Sequence, residues 1–439
     1  MYKRILVARC DAIGDVVLAL PVVDNLKAAY PDAEIYFLCA ERAKDVVINY
    51  PGIKEVLIED RSNFFAYARR LGEYKFDLYV SLWKKRYYAY LGFFAGIPKR
   101  LGPNDAYFSG RLYNLGSPLR ENVLTKHMYE LNLDLLKPLG IKIYYSYPDL
   151  KIKTKPDSDL IAIAVGARGA NKLWPPKNFI PVIKWLNQKG FKVLLIGGKE
   201  EADTGEWIAN QFSPDKVINK AGKLELAETI KAMSQCAAFL GSDSGPMHIA
   251  AALNLPVVAF FFTKNQKPTR WGPLVRNIVL HNNYICPIVC RSTECGKNIC
   301  IESVTPEQTI DALSKILEGR GFKDRAEIFT HWCQKSFNIL FLEKGWGRNN
   351  IPGILKSYGF NVHIKPLNLN LRFLKNYIIA NNINIIHVLS NSIGPMEKLL
   401  QIYASNFVPS YPLLTKNPKK DLTDLPSILD YYKKEFEKL

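Results

Sequence analysis

The chain has 439 residues, 48% of them hydrophobic, with a formal charge of +18 and a pI near 9.3. That length predicts two or three domains, each able to bury its own core. No apolar run approaches the roughly 20 residues of a bilayer span, and Arg9 and Asp11 follow ILVA too closely for a signal-peptide core, so a cytoplasmic protein is expected. The basic surplus favours anionic partners: nucleotide phosphates, an acidic lipid surface or nucleic acid. Basic runs such as WKKRYY (83–88) and NPKKD (417–421) also fit solvated faces.

From residue 3 apolar runs alternate with helical periodicity. KRILVA leads to a helix beginning near Gly14, AEIYFLC precedes AKDVVINYP, KEVLIED precedes FFAYARRLGEY, and FDLYVSLW precedes YYAYLGFFAG. Apolar strands separated by amphipathic helices predict a parallel sheet covered on both faces. A more irregular basic and aromatic stretch follows (99–151), with a helix around KHMYELNLDLLKPLG. The alternation restarts at LIAIAVG and runs through FKVLLIGG, KVINKAG, AAFLGSD and LPVVAFFF, each followed or preceded by a helical segment. After helix TPEQTIDALSKILEG, a third section shows strands FNILFLE, NVHIKPL and INIIHVLS, helices around NNIPGILKSYG and LRFLKNYIIANN, and a basic, partly helical tail. The reading is α/β: doubly wound parallel-sheet domains over 1–155 and 156–323 facing a cleft, plus a small α/β extension over 324–439.

Candidate chemistry lies at the carboxyl ends of strands. In GSDSGPMHIAAALN (241–254), Ser242, Ser244 and Gly245 let a ligand approach the backbone, and Pro246 suits the first helical position. The free amides of that helix start suit an anion such as a diphosphate; the alternative is an ordinary turn capped by Asp243 or Ser244. In RCDAIGDVVLALP (9–21), Gly14 permits close approach, and Asp11 or Asp15 is placed to take a proton from a hydroxyl. The alternative has Asp15 capping the helix and Asp11 stabilising the turn. GARGANKLWPPKNF (166–179) offers Arg168 and Lys172 to phosphate oxygens, or two solvated cations. GGKEEAD (197–203) places Glu200 and Glu201 to bond ribose hydroxyls or to cap a helix. Neither a GxGxxG loop nor a P-loop is present.

Eight cysteines do not make a disulfide scaffold at this length. Cys286, Cys290, Cys295 and Cys300 nevertheless form C-x3-C-x4-C-x4-C, and four thiolates can complete a tetrahedral zinc or iron shell. Such a metal would be structural, with no position open to substrate. The alternatives are a reduced thiol-rich loop and a disulfide pair.

RCDAIGDVVLALP, KLWPPKNF, GGKEE and GSDSGPMHIAAALNLPVVAFF, in this order and spacing, resemble glycosyltransferase family 9, the ADP-heptose lipopolysaccharide heptosyltransferases, over roughly residues 1 to 320. The resemblance implies a GT-B fold and inverting transfer from a nucleotide diphosphate sugar, with no metal cofactor required. It assigns Asp15 as general base and Lys172 to the leaving diphosphate, with Ser244, Gly245 and Met247 as donors at the helix start. Asp243 matches the acid contacting the donor sugar and Glu201 the one near the ribose; His248 matches a residue that is either functional or structural. The implied acceptor is an anionic glycolipid, the lipopolysaccharide inner core, at the cytoplasmic face of the inner membrane, with peripheral membrane contact. Arg9, Lys84, Lys85, Arg86 and Lys126, with Asp11 and Gly14, are then acceptor-side candidates, or a solvated basic surface. The cysteine spacing is this chain's own, and the section after Asp324 lies outside the family's usual architecture and reads as accessory. Alternatives are transfer of another sugar, transfer onto a protein, or noncatalytic binding of a nucleotide sugar or nucleic acid. Asp15 and Lys172 together argue against inactivity, and no nucleic-acid motif accompanies the charge.

Overall fold

A computed structural model of the chain describes residues 2–104, 109–118, 126–155, 158–167, 169, 172–262, 268–281 and 304–321, and the strands at 338–343, 361–366, 383–389 and 413–414. The first unit runs β1 (Arg4–Ala8), α1 (Ile13–Val17), α2 (Leu20–Ala29), β2 (Glu34–Cys39), α3 (Lys44–Val47), β3 (Ile53–Ile58), α4 (Phe64–Glu73), β4 (Leu78–Ser81), α5 (Arg86–Phe94) and β5 (Lys99–Leu101). Its strands pair in parallel in the order β3-β2-β1-β4-β5. Ile5, Leu6 and Val7 are fully buried, as a strand covered on both faces requires, which is why β1 reads as an unbroken apolar run.

After α6 (Ser109–Leu112) and α7 (Met128–Asp134), the second unit follows: β6 (Leu160–Ala164), α8 (Pro176–Gln188), β7 (Lys192–Ile196), α9 (Ala202–Ala209), β8 (Val217–Asn219), α10 (Leu226–Met233), β9 (Ala238–Ser242), α11 (Gly245–Ala252), β10 (Val257–Phe261), α12 (Pro268–Trp271), β11 (Asn277–His281) and α13 (Pro306–Leu317). Its parallel sheet has the order β11-β10-β9-β6-β7-β8. Helix starts follow local chemistry: Thr305 accepts from the Gln308 amide while Gln308 accepts from that of Thr305, with Pro306 just inside.

The sheets share one topology. In each, the chain reverses its direction of travel across the sheet beside the first strand, between β1 and β4 in one and between β6 and β9 in the other. Loops leaving such adjacent strands diverge to opposite faces and open a crevice at the carboxyl ends. One apolar cluster joins the units, uniting Val16, Val17 and Leu20 with Met128, Leu133, Met247, Ile249 and Leu253. Polar stitches reinforce it: the Leu150 amide donates to the Ala252 carbonyl at 2.8 Å, and the Ala227 amide to Asp45 at 3.0 Å.

The third section places β12 (Asn338–Glu343), β13 (Asn361–Pro366), β14 (Ile383–Leu389) and β15 (Leu413–Leu414) in a parallel sheet of order β13-β12-β14-β15. Three of its strands match the sequence reading; the two helices and the tail expected there lie outside the described residues. The sequence reading omitted β5, β11 and β15, of three, five and two residues, which are too short or too far toward a sheet edge to impose a period. The helix expected over AKDVVINYP is shorter, ending at Val47, because the chain must turn at Pro51 and at Gly52, whose φ is +91°.

Candidate active site

At the first reversal point Arg9 is buried, 3% exposed, just beyond β1. Its Nε donates to Asp11 at 2.8 Å, its Nη2 to Asp15 at 2.6 Å, and its Nη1 to the carbonyl of Leu82 at the end of β4. One guanidinium thus ties the β1 loop to the β4 loop and fixes both carboxylates. Burial acts to lower the Arg9 pKa, but Asp15 and Asp11 outweigh it and raise the value above the ordinary one. Asp11 is pushed up to about 6, mainly by burial, with Asp15 adding to the rise and Arg9 opposing it. Arg42 also donates to the Asp11 carbonyl. The residue preceding α1 is Ala12, which makes no side-chain cap, so Asp15 in the first turn is bound by Arg9 rather than spent on the helix end.

At the second reversal point the Ser242 hydroxyl, at the end of β9, donates to the Lys172 carbonyl at 2.7 Å. Lys172 reaches back, its Nζ 2.8 Å from Asp243 Oδ2 and 3.1 Å from the Asp243 carbonyl. The loop carrying Lys172 is anchored by Trp174, whose ring lies 4.9 Å from Phe179 and 4.7 Å from Phe260 and whose Nε1 donates to the Val304 carbonyl at 2.9 Å. Ser244 precedes α11 in extended conformation, and its hydroxyl donates to the Ser242 carbonyl at 3.0 Å rather than capping the helix. Among the described residues no side chain caps α11, so its first-turn amides are open to a ligand or solvent there. Glu201 lies over the ends of β6 and β7: a Cβ on Gly166 would meet its Cγ at 2.1 Å, and its Oε2 accepts from the Gly198 amide at 2.7 Å. The capping alternative is therefore realised for Glu201, at the carboxyl edge where a ribose was expected.

The two walls touch through α1 and α11. A Cβ on Gly14 would lie 2.3 Å from His248 Cδ2, and one on Gly245 would lie 3.1 Å from Ile13 Cβ. Gly14 is needed for this close approach and Gly245 eases it, and the two bring the walls together at their helix starts. His248 is buried, its Nε2 is 3.9 Å from Asp243 Oδ1, and its Nδ1 has no hydrogen-bond partner among the described residues. Burial lowers its pKa below the ordinary value, against the opposing pull of Asp243 and Asp15, so the ring is neutral near pH 7. Contact with Gly14 of α1 on one side and Asp243 on the other places the imidazole between the walls.

Asp15 at the start of α1 thus stands across the α1–α11 contact from Lys172, Asp243, Ser244, Gly245 and His248, gathered at the start of α11, while the Met247 side chain lies in the apolar cluster. Arg9 departs from the sequence reading: it is turned inward to two carboxylates rather than outward to an acceptor. Lys126 is paired with Asp134 at 2.7 Å. Lys84 and Lys85, in the loop that begins at Leu82, and Arg86, the first residue of α5, are exposed. Arg168 and the cysteines at 286, 290, 295 and 300 lie outside the described residues. Among the described residues no His, Cys, Asp and Glu group is arranged to hold a metal, and no helix is long and apolar enough to cross a membrane. The anchoring roles of Ser242 and Trp174 went unread; the R-x-D-x3-D spacing of Arg9, Asp11 and Asp15 was the available signal for the carboxylate clamp.

Two parallel-sheet α/β units, each with a reversal point at its carboxyl edge and joined through α1 and α11, form the GT-B fold. Residues 64–298, more than half the chain, match glycosyltransferase family 9 (heptosyltransferase), and the chain belongs to that family. It is 26% identical over 292 residues to lipopolysaccharide heptosyltransferase 3 of Escherichia coli K12, covering 61% of this chain and 84% of that one. It is 24% identical over 349 residues to lipooligosaccharide heptosyltransferase 2 of Haemophilus ducreyi, covering 72% and 99%. Among solved structures, a family 9 glycosyl transferase from Veillonella parvula superposes with a TM-score of 0.62 at 23% identity, covering 72% of this chain and 98% of that one. ADP-heptose lps heptosyltransferase II of E. coli gives 0.61 at 22%, covering 72% and 99%.

Proposed function

We propose that this glycosyltransferase moves heptose from ADP-heptose, with inversion and without a catalytic metal, onto a lipopolysaccharide-core or related envelope glycan acceptor at a membrane face. The observation that carries the reading is the meeting of opposite chemistries across the α1–α11 contact: the clamped Asp15 on one wall, and Lys172 with the α11 amides on the other. The acceptor hydroxyl loses its proton to the Asp15 carboxylate while its oxygen forms the new bond at the anomeric carbon. The bond from that carbon to the diphosphate oxygen breaks on the opposite face, and its electron pair leaves with the nucleotide. Negative charge growing on the diphosphate is met by the Lys172 ammonium and the amides of Gly245 and Met247, with the Ser244 hydroxyl beside them. Pro246 contributes no N–H but fixes the first turn. Asp243 positions Lys172 and borders the donor sugar; Glu201 lies on the ribose side.

The names of the relatives and the family match support heptose as the sugar. Calorimetry with ADP, UDP, GDP and CMP sugars, followed by turnover and anomeric NMR of the product in the presence of a chelator, tests it. Binding and turnover of ADP-heptose with inverted configuration is expected. Absence of binding by every nucleotide sugar overturns the transferase reading, and exclusive use of a different donor overturns the heptose assignment. Turnover abolished by chelator and restored by a divalent ion overturns the metal-free step.

A further inference from the structure

Among the described residues, α4 and α5 beside the first wall carry the densest group of exposed aromatic rings. Phe65 of α4 is 67% exposed, and Phe94, Phe93 and Tyr90 of α5 are 49%, 47% and 41% exposed. They form one cluster about Phe94, whose ring centroid lies 5.4 Å from Phe65, 5.5 Å from Phe93 and 6.3 Å from Tyr90. Scattered exposed rings are ordinary, whereas a contiguous exposed patch marks an interaction surface. Cations frame it. The Arg100 guanidinium lies 5.4 Å from the Phe93 ring centroid, held by bonds to the Leu112 and Ile97 carbonyls, and Arg70 lies 4.9 Å from the Tyr67 ring. Between residues 61 and 100 stand nine Lys or Arg against Glu73 and Asp77, so this stretch supplies +7 of the chain's +18.

We propose that the α4–α5 aromatic cluster docks the protein on an anionic phospholipid bilayer. Rings that enter the headgroup boundary, surrounded by Lys and Arg that meet lipid phosphates, are what such an interface selects. A second copy of the chain fits less well, because the face would oppose its own positive charge. The position also suits a lipid-borne acceptor: α5 follows the loop that begins at Leu82, whose carbonyl is bonded by Arg9, and nine helical residues span only about 14 Å. The surface deepens the envelope-acceptor reading, but binding is measured without any sugar, so its failure leaves that reading intact.

The test is flotation of the full chain with vesicles of phosphatidylcholine alone or mixed with phosphatidylglycerol. The protein is expected to bind the mixed vesicles, to release with salt, and to bind neutral vesicles weakly. The Phe65→Ser/Phe93→Ser/Phe94→Ser variant, which alters only exposed side chains, should bind about tenfold less at unchanged thermal midpoint. Reversing two further exposed cations of this stretch, Arg69 on α4 and Lys99 at the start of β5, as Arg69→Glu/Lys99→Glu should weaken binding several-fold. Since +18 alone adsorbs to anionic lipid, Phe94→Trp supplies the discriminating readout: fluorescence beyond that of the wild type, quenched by brominated phosphatidylglycerol. Undiminished binding by the triple variant, or no added quenching at position 94, overturns the proposal. So does loss of a self-associated species, or of oligonucleotide binding, in the triple variant while vesicle binding persists.

Discussion

The two reversal points of the molecule are built alike and charged in opposite order. At the first, the cation is inside: Arg9 is 3% exposed, while Asp11 and Asp15 are 14% and 18% exposed. At the second, the carboxylate is the deeper partner, with Asp243 at 11% and Lys172 at 28%. In each pair the buried member holds the more exposed one, and on the proposed function it is the more exposed member, Asp15 or Lys172, that meets ligand. On that proposal one wall presents a carboxylate and the other an ammonium. A transfer reaction needs that asymmetry, because a proton must be taken at one end of the reacting line and negative charge received at the other.

The sharpest way to break the comparison is to neutralise each offered group alone. Asp15→Asn keeps an oxygen for Arg9 but cannot take a proton, so kcat should fall about 1,000-fold with KM within a few-fold. Steady-state kinetics with the thermal midpoint as a folding control measures it, and normal turnover would remove Asp15 as the base. Lys172→Ala should cost about 100-fold in kcat/KM, with Lys172→Arg recovering part of the loss because charge, more than shape, is required at the diphosphate. If Lys172→Ala leaves kcat/KM intact, the second wall does not carry the leaving group.

The contact between the walls offers a smaller effect. Gly14→Ala would put a methyl 2.3 Å from the His248 ring, and the packed α1–α11 interface must shift to admit it. A loss of about 1–3 kcal/mol is expected, read as a fall of several degrees in the thermal midpoint. His248→Ala in the same chain should return much of it, a coupling that a double-mutant cycle measures. Strictly additive effects would mean that the two residues do not meet.

Much of this was legible in the sequence because parallel strands advertise themselves as apolar runs and ligand loops begin where those runs end. RILVA, LIAIA and VVAFF locate the strands, and the loops beyond them hold Asp11, Asp15, Arg168 and Lys172 as candidates; the choice of Asp15 as base and of Asp243 as a donor-sugar contact comes from the family resemblance. The orientation of charge was not legible. Whether Arg9 faces solvent or the interior depends on the Leu82 carbonyl, 73 residues away, which gives a buried guanidinium a third acceptor besides its carboxylates. The sequence marks Gly14 as a point of close approach but not what approaches it: the imidazole that forbids a side chain there comes from the other unit, and no local period encodes it. Capping by Asp15, Asp243 or Ser244 was locally reasonable, yet each side chain bonds instead to a group the fold brings to it or, for Ser244, to its own turn.

The smallest effect, on stability against pH, also separates the walls, and by sign. Asp11 on the first wall is raised to about 6 by burial, with Asp15 adding and Arg9 opposing, from an ordinary value of 3.8. Between these values the native chain binds a proton that the unfolded chain does not, so Asp11 adds stability as pH falls from about 6 toward 4. His248 on the second wall is lowered by burial from 6.5, so the unfolded chain takes up a proton that the native chain refuses. Its contribution is complete above about 6.5 and is lost as pH falls below that value. Each group exchanges at most one proton, which bounds its slope at about 1.4 kcal/mol per pH unit. Thermal midpoints measured from pH 8 to pH 5 (about 0.5 apart) should fall more steeply for Asp11→Asn than for the wild type, and less steeply for His248→Gln. Parallel curves for all three proteins would show that neither group titrates differently in the folded chain. If both variants deviate to the same side, one wall has been given the wrong sign.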